Sequence, residues 1–280
     1  MTRLDDATDP LLPARWRLRQ AELLADTRTS RVWKVLREDG SPAVVKALKP
    51  AGMDERHGIH LLRWRRGRGL VRLHGVVANC QLLEYAGAVP LSAVITREGD
   101  DAATRIAAEV LRTIGTPASR PVPAGLTPLA EHFTGLFQQA AAAPAQSPYH
   151  RAAELAAQLL RDMREIRPLH GDLHHDNIHQ GARGWLAIDP RGLLGDPAYD
   201  AANLLYNPLE RDDLCLDPQR LRARTASYAA ALRREPAEIL AWAYAYGCLS
   251  AAWHAEDGNT ADEQRELDVA AVVDALLRPL

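Results

Sequence analysis

The residues of this chain best suited to chemistry gather in Leu169-His170-Gly171-Asp172-Leu173-His174-His175-Asp176-Asn177-Ile178, followed closely by Trp185-Leu186-Ala187-Ile188-Asp189-Pro190. Asp172, Asn177 and Asp189 supply two carboxylates and an amide from a tight polar loop and the end of the next apolar run. That set can aim a hydroxyl nucleophile and hold magnesium beside a nucleoside triphosphate. Asp172 is placed to hydrogen-bond an acceptor hydroxyl. Asn177, five residues on, can return its amide oxygen to a metal, and Asp189 at a strand end can bridge magnesium to phosphates. Phosphoryl transfer also needs a cation on the α and β phosphates. Of 34 basic residues only Lys34, Lys46 and Lys49 are lysines, all within one short window. Lys46 lies on the third of a series of alternating segments and is the natural phosphate partner, with Glu55 the carboxylate best placed to hold it. Lys34 and Lys49 read as charges on a sheet surface.

The elements that must position these groups can be read from periodicity. Residues 16–19, 30–36 and 43–48 alternate as strands, and Glu38-Asp39-Gly40-Ser41-Pro42 supplies a hairpin turn. A helix is expected over 54–66, then strands over 70–73 and 80–85. The alternation stops at Ala86-Gly87-Ala88-Val89-Pro90, and helical patterns follow at 100–114, 128–142, 148–166, 217–234, 235–256 and 261–277. Pro168 ends the third of these just before the polar loop. The expected division is a nucleotide-binding β lobe with one helix at 1–86 and a helical catalytic and substrate-binding lobe at 87–280. Residues 1–13 read as a loose tail.

Composition narrows the class. A length of 280 residues is comfortable for two lobes, and 47% hydrophobic with 25% charged residues is that of a globular protein. The net charge of −2 offers no attraction to nucleic acid or an anionic membrane, so neither is an expected partner. No apolar run approaches the ~20 residues of a membrane span. Met1-Thr2-Arg3-Leu4-Asp5-Asp6 is too polar and acidic for a signal peptide. Cys80, Cys215 and Cys248 have no metal or redox spacing. A cytoplasmic, monomeric protein with reduced thiols is expected.

His170-x-Asp172-x-x-x-x-Asn177 with Ile188-Asp189 resembles the catalytic-loop and metal-binding pair of the eukaryotic-like kinase superfamily. The His-Gly-Asp-Leu-His form is similar to the aminoglycoside phosphotransferase family. Longer stretches resemble its streptomycin 6-kinase branch: Gly184-Trp185-Leu186-x-Ile188-Asp189-Pro190, Arg211-Asp212-Asp213-Leu214-Cys215-Leu216-Asp217-Pro218, residues 243–253, Val32-Trp33-Lys34-Val35 and Trp64-Arg65-Arg66-Gly67-Arg68-Gly69. The resemblance runs over about 14–275. It implies an α+β, protein-kinase-like bilobal fold with a small antiparallel β lobe and a large, mainly helical lobe. It also implies ATP and magnesium as cosubstrates, and phosphorylation of streptomycin at its 6-hydroxyl as a resistance reaction. By that resemblance Asp172 is the catalytic aspartate, Asn177 and Asp189 are metal ligands, Lys46 is the phosphate lysine and Glu55 its partner. Glu84-Tyr85-Ala86 resembles the hinge whose backbone meets adenine.

The chain departs from the kinase pattern in two places. The glycine-rich loop is replaced by Asp26-Thr27-Arg28-Thr29-Ser30-Arg31, which leaves Thr29 and Ser30 as phosphate-loop candidates, and Asp-Phe-Gly is replaced by Asp189-Pro190-Arg191. Other readings compete. His170, His174, His175 and His179 suggest zinc, but their i, i+4 spacing serves only on a helix and Gly171 opposes one. His170 reads instead as a brace for the loop, and Asp200 as a helix cap or second brace. A dimetal phosphoesterase would need a later Gly-His-x-His that the chain lacks. A catalytically dead binding module would not need the set Lys46, Asp172, Asn177 and Asp189. A kinase of the same fold acting on hydroxyurea or another small hydroxyl compound is the nearest alternative. Streptomycin carries two guanidinium groups, so carboxylates should line its pocket. Asp196, Glu210, Asp212, Asp213 and Glu256 are candidates, with Asp217 and Asp257 nearby and Trp253 as a stacking platform.

Overall fold

The computed structural model describes residues 12–278, so Met1–Asp6 and most of the expected tail lie outside the described residues. Alternating residues build the small lobe. Strands β1 (Arg19–Asp26), β2 (Ser30–Leu36) and β3 (Pro42–Leu48) are followed by helix α1 (Gly58–Arg65) and by β4 (Leu73–Val77) and β5 (Cys80–Glu84). The strands form one antiparallel sheet in the order β1-β2-β3-β5-β4. Successive side chains of a strand point to opposite faces. Trp33, Val35, Ala43, Val45 and Ala47 are therefore buried behind the sheet with Leu18 and Leu82, while Val32, Val44 and Lys46 face a cavity on the other side.

Three expected elements are displaced. The strand expected at 16–19 starts at Arg19, because Ala14–Trp16 forms a 3-10 turn closed by Arg17 at φ 48°. The helix expected from 54 is a 3-10 turn over Pro50–His57, interrupted at Gly52, and α1 begins only at Gly58. The strand expected at 70–73 is instead a link to the large lobe. Val71 N–H donates to Ala187 O at 3.0 Å and Ala187 N–H to Gly69 O at 2.9 Å, and β4 starts at Leu73. Those backbone groups are committed to residue 187 and cannot pair within the sheet.

The large lobe opens with α2 (Ser92–Glu98), which periodicity did not suggest, and α3 (Asp100–Gly115). After β6 (Thr127–Pro128), the helix expected over 128–142 is split at Phe133 into α4 (Leu129–His132) and α5 (Thr134–Ala142). Then come α6 (Pro148–Arg161), β7 (Arg167–Leu169), the hairpin β8 (Ile178–Gly181) and β9 (Gly184–Ala187), and β10 (Leu193–Gly195). The chain ends in α7 (Ala202–Leu205), α8 (Asp212–Cys215), α9 (Pro218–Leu232), α10 (Pro236–Glu256) and α11 (Thr260–Leu277). Ser147 caps α6 and Asp217 caps α9, each accepting a backbone N–H ahead of a proline at the first helical position. Asp217 is thus a cap. Helix α10 is apolar on nearly every side, as a helix enclosed by others must be, and it packs on α11, α6, α7, α9 and α5.

The larger core cluster joins Leu61, Leu62, Leu70, Val71 and Leu83 to Leu111, Tyr199 and Leu249. Helix α1 and one face of the sheet thus pack into the same core as the helices. The whole is an α+β, protein-kinase-like arrangement of a small antiparallel sheet and a large helical lobe. Cys80, Cys215 and Cys248 are buried. Among the described residues no helix is long and apolar enough to cross a membrane.

Candidate active site

The polar loop leaves β7 and turns at Gly171, whose φ of 83° favours glycine and where a Cβ would collide with the Leu193 side chain. Two side chains fix it. Asp200, in a 3-10 turn over Pro197–Ala201, accepts the N–H groups of His170 at 2.9 Å and Gly171 at 2.8 Å. It is a brace, the second of the two roles its sequence allowed. Burial raises its pKa to about 6, although the two N–H groups and Arg65 pull the other way. His170 is fully enclosed, and burial lowers its pKa to about 4, so the ring is neutral. Its Nε2 lies 2.8 Å from Ile188 O and its Nδ1 3.2 Å from Asp172 N–H, which puts the proton on Nε2. His170 therefore ties the loop to the strand end that carries Asp189.

Asp189 takes a left-handed conformation, φ 56°, which a short polar side chain tolerates. The Gly58 backbone packs so closely on the next peptide that a Cβ there would strike the Pro190 carbonyl. That contact holds the 3-10 turn bearing Glu55 against Asp189. Lys46 Nζ reaches both: it lies 2.6 Å from Glu55 Oε2 and is bonded to Asp189 Oδ1. Burial opposes the lysine charge, but Asp189 and Glu55 outweigh it and raise the Lys46 pKa. Asn177 Nδ2 donates to the Asp172 carbonyl at 2.9 Å, so its Oδ1 is left to accept or coordinate. Asn177 Oδ1 and the half-exposed Asp189 carboxylate form a hard-oxygen pair. Such a pair fits magnesium, which takes one or two protein oxygens and completes its shell with phosphate and water.

A cavity of about 140 Å³ opens beside Lys46 and Asp189, with apolar walls from Leu24, Val32, Val44, Leu83, Ala86 and Ile188. Glu84, Tyr85 and Ala86 line it. The Glu84 carboxylate is held by Arg183 through bonds of 2.8 and 2.6 Å and by Arg72 N–H at 2.9 Å. The Tyr85 ring lies under Lys34, 5.0 Å from Nζ. Ser30 is buried at the start of β2 with its N–H on Thr27 Oγ1, and is not among the residues lining this cavity. Lys49 is paired with Asp26 at 2.5 Å, so the β1–β2 turn is pinned from below.

On the acceptor side, sequence reasoning missed Asn203 and Arg191. Asn203 Nδ2 bonds Asp172 Oδ1 at 3.0 Å, and Arg191 Nε stands 3.9 Å from Asp172 Oδ2. The Arg191 guanidinium also lies over the Trp253 ring at 5.7 Å, and Trp253 packs edge-on against His132 at 5.1 Å. Trp253 is thus brought to the polar loop, but its stacking face carries the chain's own arginine. Glu256 follows three residues later, exposed at the end of α10. Glu210 is exposed, at φ 61°.

Other expected acceptor carboxylates are paired with arginines. Asp196 is buried, caps the turn before Tyr199 by accepting Ala198 N–H, and pairs with Arg234 at 3.2 Å. It faces a separate cavity lined by Leu155, Met163, Glu238 and Trp242. Asp212 pairs with Arg265 at 3.0 Å and Asp213 with Arg211 at 2.7 Å. Asp257 meets Arg28 of the β1–β2 turn at 3.5 Å, a contact that spans the two lobes. The loop histidines diverge: His174 accepts Asp176 N–H, His175 is buried, and His179 lies between the carbonyls of Gly87 and Asp176.

Residues 15–258 match a family described as aminoglycoside/hydroxyurea antibiotic resistance kinase. The streptomycin 3''-kinase of Klebsiella pneumoniae is 42% identical over 272 residues, which cover 95% of this chain and 98% of that one. The streptomycin 6-kinase of Streptomyces griseus is 31% identical over 277 residues, covering 95% and 87%. Among solved structures, aminoglycoside phosphotransferase APH(4)-Ia in complex with ADP and hygromycin B matches with a TM-score of 0.66 over 93% of this chain and 96% of that one. At 14% identity, that likeness is one of fold.

Proposed function

The chain belongs to the aminoglycoside/hydroxyurea antibiotic resistance kinase family, and on that premise we propose that it transfers the γ-phosphoryl group of ATP to the 3''-hydroxyl of streptomycin. The observation that carries the regiochemistry is identity: 42% to a 3''-kinase across nearly both chains, against 31% to a 6-kinase. The sequence motifs had implied the 6-hydroxyl, and this difference moves the proposal to 3''.

The geometry supports the following roles. The adenine ring enters the apolar cavity and meets the backbone of Glu84, Tyr85 and Ala86. Lys46, held charged between Glu55 and Asp189, binds the α and β phosphates. Asn177 and Asp189 are the residues that would hold magnesium, which supplies charge neutralisation along the β and γ phosphates. Asp172 accepts the hydrogen bond of the acceptor hydroxyl and aims its oxygen. That oxygen bonds to the γ-phosphorus, the bond from phosphorus to the β–γ bridging oxygen breaks, ADP leaves and Asp172 takes the proton. His170 and Asp200 keep the loop that presents Asp172 in place.

The test is incubation with ATP, magnesium and streptomycin, reading ADP release and locating the phosphate by phosphorus–proton correlation. A 3''-phosphate is expected. A 6-phosphate would overturn the position and leave the kinase reading standing; no ADP release above background would sink both. Hydroxyurea belongs in the same substrate panel, because the family description includes it.

A further inference from the structure

Asn203 is the cleft residue with no role in the reading above. It stands in α7, 7% exposed, with Nδ2 3.0 Å from Asp172 Oδ1 and Oδ1 2.8 Å from Asn207 Nδ2. The chain itself fixes which way this amide points. The same Asn207 nitrogen lies 3.0 Å from the Asn203 backbone carbonyl, and a carbonyl can only accept, so that group must be the Asn207 NH₂. A donor facing the Asn203 side chain requires Oδ1 there, which turns the Asn203 NH₂ to Asp172. Asn207 is anchored in turn. Its carbonyl accepts from Arg220 Nη2 at 3.0 Å, and Arg220 is buried against Asp100 at 2.7 Å. Rotating the Asn203 amide would set two NH₂ groups against each other, losing the buried bond to Asn207, and would turn an oxygen toward the part-exposed Asp172 carboxylate in place of its donor.

We propose that Asn203 is a positioning residue for phosphoryl transfer, pinning Asp172 Oδ1 so that Oδ2 is the oxygen that meets the acceptor hydroxyl. A carboxylate has two equivalent oxygens and a soft terminal torsion. A single strong donor on one of them orients the plane and leaves the other to take the proton. Arg191 Nε at 3.9 Å from Oδ2 is too distant for a hydrogen bond, so that oxygen keeps its lone pairs for the substrate. Asn203 thus acts through Asp172, and the inference rests on the kinase reading given above.

A double-mutant cycle tests it, with wild type, Asn203→Ala, Asp172→Ala and the double variant assayed for streptomycin phosphorylation and for melting temperature. Asn203→Ala should lower kcat about 10–10²-fold, the range for a reacting group left misaimed, with the KM for ATP unchanged. The double variant should be no slower than Asp172→Ala alone, because a residue that works through another has nothing left to position. Losses that multiply in the double variant would assign Asn203 a structural role and overturn the proposal. So would wild-type turnover in Asn203→Ala beside a collapsed Asp172→Ala. Near-normal turnover in Asp172→Ala would instead remove the reading on which the inference stands. Should Asn203→Ala fail to fold, Asn203→Asp keeps the shape and the acceptor for Asn207 while placing an oxygen against Asp172. It should lose at least as much kcat, and unchanged turnover there would also overturn the proposal.

Discussion

Replacing Asp200 by asparagine should separate stability from catalysis, because its two effects have opposite signs. Buried Asp200 accepts the backbone N–H groups of His170 and Gly171, and burial raises its pKa to about 6 from a usual 3.8. Since the folded pKa lies above the unfolded one, the stability this group contributes is complete below about pH 4 and is lost as pH rises through about 6. At pH 7 the ionised form costs about 3 kcal/mol, given a pKa of about 6 when folded and 3.8 when unfolded. An amide in its place would not titrate, so that cost disappears. The new NH₂, however, must face one of the two N–H groups, and an unsatisfied buried donor costs about 1–3 kcal/mol. At pH 7 the variant should therefore unfold within about 0–2 kcal/mol of wild type on the stable side. At about pH 4.5, where most of the relief has vanished, it should be less stable. Turnover should nonetheless fall about 10²-fold, since the loop carrying Asp172 loses half of its anchor. Urea melts at both pH values and steady-state rates at pH 7 check this. A variant as active as wild type would refute the assignment of Asp200 as the brace, and a stability difference that does not change sign with pH would refute the electrostatic account.

Asp172→Ala should lower kcat by about 10²–10⁴-fold with melting temperature preserved, read by ADP release. Trp253→Ala removes the ring beneath Arg191 and beside His132, and should raise the KM for the acceptor with little change in that for ATP. Asp196→Asn should leave the acceptor KM at its wild-type value and instead cost about 1–3 kcal/mol in denaturant unfolding, because it weakens a buried pair in which Arg234 still keeps Glu165 and Glu238.

The candidate residues that sequence grouped together share a local cause. Asp172 and Asn177 lie on one short loop, where spacing alone decides whether an amide returns to its neighbour, and the Asn177–Asp172 bond is the outcome. Lys46 stood out because the chain is nearly free of lysine, and strand alternation then put it opposite the hydrophobic face. The segments misread were those governed by contacts from afar. Residues 70–71 alternate like a strand, but the Val71 N–H and the neighbouring Gly69 carbonyl are taken by Ala187. The helix expected to include Glu55 starts about one turn later, at Gly58, because periodicity does not register the 3-10 geometry that Pro50 and Gly52 impose.

The acceptor carboxylates show a different limit. A sequence lists charges without saying which are already paired, and in a chain this rich in arginine most of the expected ones are: Asp196 with Arg234, Asp212 with Arg265, Asp213 with Arg211. What decides whether an aspartate can bind a cationic substrate is therefore the position of the nearest arginine, a tertiary property. The same reasoning explains why Asn203 escaped notice. It lies 31 residues from Asp172, in an apolar run where an amide reads as a turn or cap signal. Only the arrangement of its neighbours, a backbone carbonyl that cannot donate and an Asn207 anchored on Arg220, turns an ordinary side chain into a fixed donor aimed at one carboxylate oxygen. Groups that carry the chemistry announce themselves by type and spacing, whereas groups that aim them are defined by what holds them in turn.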